Sequence, residues 1–417
     1  MLPDLQSPHG GRIVVHHYAM HKTPTRLLLN IGHALDHMFL LIFATAVTTI
    51  AKDFQLQHWE DLMPYGAAAF FFFGLGALPS GRLGDLWGRR PMMIVFFMSM
   101  GVSAIAVGLT STPVELAIAL AVMGCAASIY HPIGIPMLVQ RASRPGWVIG
   151  VNGFAGNLGL ASAAAVTGLF VKYFGWRMAF VIPGIVSIIL GFVFAVYATR
   201  DGTAPARNNT SSSGHRAGVS VASVLLVMTV AATSGAMLFN FATNSNYELL
   251  SSKFSQISQD PARIGVFLAL VYGLASLTQL LIGNLLDKIA LKPLYLGIIT
   301  IQLLSIGLAI GTDGWLFYLA QIIFMATIFG AVPFTDAIVV RFVDDAMRSR
   351  VSGMRLTVSL GASSIAVWLI GPIVKQSGFT MLLWVMAATS CITLAVVCAL
   401  PASPSPRSYR TTNGPET

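Results

Sequence analysis

His33, Asp36 and His37 stand at positions i, i+3 and i+4 of one apolar stretch. On a helix they share a face. A carboxylate beside imidazoles can take up and release protons near neutral pH. No Lys or Arg lies in that stretch to pair with Asp36, and acids buried in apolar segments are costly and usually functional. The role expected for Asp36 is therefore proton coupling, tuned by His33 or His37. The same groups offer two nitrogens and an oxygen to a divalent cation, and His131 can add a third nitrogen. Plainer roles stand beside these. His33 can bond a backbone carbonyl, and His131 can satisfy backbone at a kink, because the missing amide of Pro132 frees the carbonyl of residue 128.

The elements that must position these residues are membrane helices. The chain of 417 residues is 55% hydrophobic and 10% charged, with a mean hydropathy of +0.74. A soluble chain carries roughly a quarter charged residues. Apolar runs recur, each long enough to cross a hydrocarbon core of roughly 30 Å. They are continuous, where outer-membrane barrels show short alternating segments. Twelve spans are expected, near 27–50, 63–83, 91–109, 113–139, 146–171, 178–197, 220–244, 264–286, 293–311, 315–340, 351–374 and 380–400. Residues 1–26 are polar, so the first span is expected to stay in the mature protein.

Basic residues orient the spans. With both termini in the cytoplasm, all of the 25 Lys and Arg fall on cytoplasmic segments except Lys52, Lys172, Arg177, Lys253, Arg263 and Lys375. The net charge of +9 is thus a topology signal, and no nucleic-acid partner is expected. Cys125, Cys391 and Cys398 all fall within spans, so no disulfide framework is indicated. The expected division is a cytoplasmic tail over 1–25, a six-helix bundle over 26–198, a flexible linker over 199–218, a second bundle over 219–401 and a tail over 402–417.

Between spans two and three lies Gly81-Arg82-Leu83-Gly84-Asp85-Leu86-Trp87-Gly88-Arg89-Arg90, and a weaker copy, Gly283-Asn284-Leu285-Leu286-Asp287-Lys288, follows 202 residues later. Gly159 and Gly361 share that offset. The loop resembles the signature loop of the major facilitator superfamily. Gly32-His33-x-x-Asp36, Tyr130-His131-Pro132 and Gly156-Asn157-Leu158-Gly159 resemble the fosmidomycin-resistance group of exporters within it. Leu120 ahead of Gly124, and Ala163 to Ala165, stand where proton-coupled drug exporters carry an arginine and a Gly-Pro motif.

The resemblance implies an all-α polytopic fold of two six-helix repeats, working in the plasma (bacterial inner) membrane as a monomer without a cofactor. Spans one, four, seven and ten line the cavity in that superfamily. This assigns His131, Asn240, Thr243, Asn244 and Asp336 to substrate contact, with Asp336 also able to pair with Arg341 or Arg355 as a gate. Asp36 and His131 should lie near one level, about 13 and 12 Å from the cytoplasmic ends of their spans. Gly81, Asp85, Gly88, Arg89 and Arg90, and more weakly Gly283, Asp287 and Lys288, become a gating latch, with Asp85 bracing the start of span eleven.

The function expected is secondary transport of a small organic solute, coupled to protons and directed outward. The alternative is a divalent transition metal or metal-chelate substrate, on His33, Asp36, His37 and His131. From spacing alone the organic solute is preferred, because no Cys lies near and no His-rich loop accompanies the spans. An enzyme is not expected: no His-Glu-x-x-His or Gly-x-Ser-x-Gly motif occurs, and no P-loop supplies ATP drive. Asp85→Asn should slow the conformational cycle more than it weakens substrate affinity. Turnover and binding, measured separately, check this; lost binding at normal turnover would refute it.

Overall fold

The computed structural model describes residues 22–140, 142, 145–198, 221–286, 288–342 and 345–400. The linker over 199–218 and the tails up to residue 21 and from 401 onward lie outside them. Among the described residues the chain is helical, with no strand. In hydrocarbon no water is present to satisfy backbone N–H and C=O groups, so each span must bond within itself.

The helices are α1 (Lys22–Asp53), α2 (Met63–Trp87), α3 (Arg89–Gly108), α4 (Pro113–Ala127), α5 (Tyr130–Val139), α6 (Pro145–Tyr173), α7 (Trp176–Tyr197), α8 (Val221–Lys253), α9 (Pro261–Leu286), α10 (Leu291–Ile310), α11 (Gly314–Phe342) and α12 (Asp345–Cys398). Eleven segments among the described residues are long and apolar enough to cross a membrane, with α4 and α5 forming one of them. The last is twice the usual length. At 54 residues, α12 would extend about 80 Å if straight. It turns at Gly378, whose φ of 74° and ψ of 177° break the helix. Read as two crossings, α12 brings the count to twelve.

All crossings alternate in direction, so Lys22 and Leu400 lie on one face, here called proximal, with the opposite face distal. Helix pairings repeat between the chain halves. In the first, α1 packs on α6 and α2 on α4; in the second, α8 packs on α12 and α9 on α11. The halves meet chiefly through α6 on α9 and α2 on α12. Apolar side chains such as Val196 and Leu304 are left exposed, as a lipid-facing surface requires.

Two helix interruptions matter for the site. Span four is broken into α4 and α5 at Ser128 and Ile129, where Pro132 lacks the amide that would close the turn. Gly88, at φ 93° and ψ 153°, separates α2 from α3 in a backbone region that side chains with a Cβ avoid. The Phe70 to Phe73 run divides as four consecutive helical residues must: Phe70 and Phe73 are buried and Phe71 is exposed.

The distal ends of the halves are tied together. Thr48 of α1 donates to Glu248 of α8 over 2.8 Å. Lys375 pairs with Asp61 at 2.5 Å, Lys172 pairs with Asp260, and Trp59 stacks on Phe379. Hydrogen bonding from Lys172 holds the Asp260 carboxyl below its ordinary range, so this pair persists until the pH falls below ordinary carboxylate values. Half-exposed ion pairs contribute little, because water and salt screen them. Close backbone packing contributes more to the seal. A Cβ on Gly168 would strike Pro261 and Gly265 of α9, and one on Gly371 would strike Glu60 and Met63.

Gly168→Leu and Gly371→Leu should therefore wedge the distal face open. With Cys125, Cys391 and Cys398 replaced by serine, labelling of Thr48→Cys by a membrane-impermeant maleimide should rise several-fold in either variant. Unchanged labelling would show that the seal does not depend on these contacts.

Candidate functional site

One face of α1 carries His33, Asp36 and His37, and α5 brings His131 to it. His131 Nε2 lies 3.7 Å from Asp36 Oδ2. Asp36 is fully buried, and neither of its oxygens has a hydrogen-bond partner. His33 and His37, expected to tune Asp36, instead face each other, with Nε2 atoms 3.1 Å apart. Among the described residues, the imidazole within 4 Å of the carboxylate is that of His131, which sequence reasoning placed with the substrate contacts. All three imidazoles come together: the His33 ring centroid lies 4.8 Å from that of His37 and 5.1 Å from that of His131.

The His33 ring is held on three sides. Its Nδ1 donates to the carbonyl of Asn152 on α6 over 2.7 Å. A carbonyl only accepts, so a neutral His33 carries its hydrogen on Nδ1 and presents a bare Nε2 to His37. Tyr130 stacks on the opposite side at 4.8 Å and 7°. Tyr130 in turn donates to the carbonyl of Leu29 over 2.8 Å and accepts from Asn152 Nδ2 over 2.7 Å. Asn152 Nδ2 also reaches Asn30 Oδ1 at 3.0 Å.

The Gly156-Asn157-Leu158-Gly159 motif has a spatial reason. A Cβ at Gly156 would lie 2.7 Å from the His33 ring, and one at Gly159 would strike the backbone of Ala34. The two glycines thus let α6 lie against α1 at the level of the cluster. Asn157 donates across the halves to Gln279 of α9 over 2.7 Å. Gly361, matched to Gly159 by the 202-residue offset, has open space where a Cβ would stand, so the two glycines do not share a packing role.

Sequence reasoning missed Tyr130 as a member of the site, along with Asn152 and Phe73, and it missed Glu248 of the distal tie. Phe73 places its ring 5.7 Å from that of His131. Glu248 was left outside span seven, which was expected to end near 244. The helix continues to Lys253, so Glu248 lies within it.

On α8, Asn240, Thr243 and Asn244 are buried. Asn240 Nδ2 donates to Ser363 of α12 over 2.8 Å, and Thr243 Oγ1 donates to the Phe239 carbonyl over 2.8 Å. Asn244 donates to the Asn240 carbonyl over 3.2 Å, while its own Oδ1 has no partner. The side chains of Asp336 and Arg341 lie outside the described residues, as does Asp287.

In the signature loop, Arg90 donates through Nε to the carbonyl of Ala198 over 3.1 Å and through Nη2 to that of Ala195. It thereby covers unpaired carbonyls at the end of α7. Asp85 is exposed, with no hydrogen-bond or ion-pair partner among the described residues, and Arg89 is half-buried. Among the described residues a Cβ on Gly81 would meet only Pro132 and one on Gly283 would meet nothing, while Lys288 is exposed.

The family model of the Major Facilitator Superfamily matches residues 29–258, more than half of the chain. The chain belongs to that superfamily. It is an integral membrane protein with the helical fold of its family. Two similar curated proteins are a probable hexose phosphate transport protein of Chlamydia trachomatis, 26% identical over 172 residues, and the 4-hydroxybenzoate transporter PcaK of Pseudomonas putida, 25% identical over 169 residues. These alignments cover 39% and 38% of this chain and 36% and 38% of the relatives, so the chain spans little more than a third of the length of the curated relatives it matches. Among solved structures, a bacterial homologue of the human lysosomal transporter Spinster aligns with a TM-score of 0.72 at 14% identity. That alignment covers 91% of this chain and 96% of the other, and it speaks for the fold.

Gly156→Ala should push the His33 ring from its position, and Tyr130→Phe should remove its two hydrogen bonds, at about 1 kcal/mol each. Both variants should melt at lower temperature than the wild type. The His33 imidazole resonances, observed by NMR with labelled histidine, should shift in each. An unmoved His33 signal in Gly156→Ala would remove the glycine from its cradling role.

Proposed function

We propose that the chain is a secondary active transporter, and not an enzyme, that exports a small organic solute by alternating access in exchange for protons. Asp36 is the coupling group. The observation that carries this reading is a carboxyl group with no exposure and no hydrogen-bond partner, set between α1 and α5. A group with one exchangeable proton, screened from water in one conformation, is loaded and unloaded only when the cavity opens towards it. His131, at 3.7 Å and one-fifth exposed, is the proton's route between Asp36 and water.

Solute contacts fall to His131 on one half and to Asn240, Thr243 and Asn244 on the other. The unpartnered Asn244 Oδ1 is free to accept a bond from a solute. Support for outward direction comes from the three motifs that resemble those of the fosmidomycin-resistance group. The basic-residue distribution puts the proximal face in the cytoplasm, so the distal ties seal the outer side in this conformation. Asp85, Arg89 and Arg90 then serve the opposite, outward-facing state, in which the signature loop closes the cytoplasmic side.

The test is transport in proteoliposomes under an imposed pH gradient, screened against antibiotics, organic anions, siderophores and divalent metals. Asp36→Asn should abolish gradient-driven movement while leaving the protein folded and inserted. His131→Ala should shift the pH dependence of transport or its solute preference. Undiminished gradient-driven transport in Asp36→Asn would take the coupling role away from Asp36.

A further inference from the structure

The histidine cluster has features that proton handling alone does not require. Three imidazoles, from two helices, place one nitrogen each within 4.8 Å of one another. The two closest, His33 Nε2 and His37 Nε2, are 3.1 Å apart. Metal–nitrogen bonds of 2.0–2.1 Å in a tetrahedral site put neighbouring ligand nitrogens about 3.3 Å apart. His131 must move inward by roughly 1–1.5 Å to join the same ion. It is one-fifth exposed and is carried on a helix only ten residues long.

The surroundings match those of a ligand set. A metal-bound imidazole usually donates its other N–H to a carbonyl or carboxylate, which fixes its tautomer and its aim. His33 does this already, through Nδ1 to the Asn152 carbonyl at 2.7 Å. The Gly156 cradle and the Tyr130 stack hold the ring at that angle. Beside the imidazoles, both Asp36 oxygens are buried without a donor, and one is 3.7 Å from His131 Nε2. A carboxylate in that position has an unfilled place for a positive charge.

We propose that His33, His37, His131 and Asp36 bind one divalent transition-metal ion, so that the organic solute carried is one that travels as a complex with such an ion. The binding follows from the cluster's geometry; the statement about cargo rests on the transporter reading above and narrows its solute. Three imidazoles and one carboxylate suit zinc, nickel, cobalt or copper(II), whereas magnesium and calcium take oxygen ligands. On binding, neutral His37 changes tautomer: the hydrogen on its Nε2, which bridges to His33 Nε2, is lost to water while Nδ1 takes one up, and Nε2 is freed for the ion. A protonated Asp36 gives up one proton as its oxygen joins the ion.

The test uses full-length, tag-free protein in detergent, titrated with Zn²⁺ and Ni²⁺ by calorimetry and with Co²⁺ by visible absorption. One ion per chain should bind, and Co²⁺ should give the intense bands of a low-coordinate site. His33→Ala, His131→Gln and Asp36→Asn should each weaken binding by about tenfold or more. Replacing the tail histidines His9, His16, His17 and His21 with asparagine should leave it unchanged. If His33→Ala fails to fold, the isosteric Asp36→Asn decides. Absence of saturable binding, binding indifferent to the cluster variants, or binding lost with the tail histidines would overturn the proposal.

Proteoliposomes given Zn²⁺ alone or Zn²⁺ with citrate, under a pH gradient, separate free ion from complex as cargo. Binding without gradient-driven transport of either would leave the site standing and sink the cargo claim. Transport of a metal-free organic solute by a protein that binds no metal would sink the metal site and keep the transporter reading.

Discussion

A carboxyl group lies in the first half of the chain with no donor in reach. Burying an unpaired charge is costly enough that proteins pair it, neutralise it or supply a cation. Asp36 has none of the usual partners: no arginine or lysine lies between residues 27 and 50, and no amide or hydroxyl bonds to its oxygens. The compensating charge must therefore come from outside the polypeptide, as a proton or a metal ion. Both are species that a transporter can move. The packing of α1, α5 and α6 around Asp36 serves this condition. Gly156 and Gly159 bring α6 against α1, Asn152 and Tyr130 fix His33, and the break before α5 turns His131 inward.

The mechanical frame follows from the same helices. Asp36 and the histidines belong to one half, while Asn240 and Asn244 belong to the other. The halves are tied at the distal face by close glycine packing and the Thr48–Glu248 bond. Nearer the proximal face they touch through Asn157 and Gln279. A rocking motion between two sets of such contacts would expose the cluster first to one side and then to the other.

Much of the fold was legible in the sequence, because lipid imposes a simple rule: about twenty apolar residues, all helical. The shared face of His33, Asp36 and His37 followed from helical periodicity, and the common depth with His131 from helical rise. What stayed hidden depends on contacts between helices. Tyr130 read as part of a motif, but its role comes from a stack on His33 and a bond to Asn152, which spacing does not reveal. Glu248 was missed because a run of Asn, Ser, Thr and Tyr lowers the local hydropathy, although packing between halves buries that turn within the helix. The approach of three imidazoles to one point was likewise invisible, since it depends on where the broken span four places α5.

Infrared difference spectroscopy on lipid-reconstituted protein tests, without knowledge of the solute, whether Asp36 gains and loses a charge-compensating proton. The wild type should show a protonated-carboxyl C=O band that disappears as the pH is raised, and Asp36→Asn should lack that band. A titrating band that survives unchanged in Asp36→Asn would contradict the account.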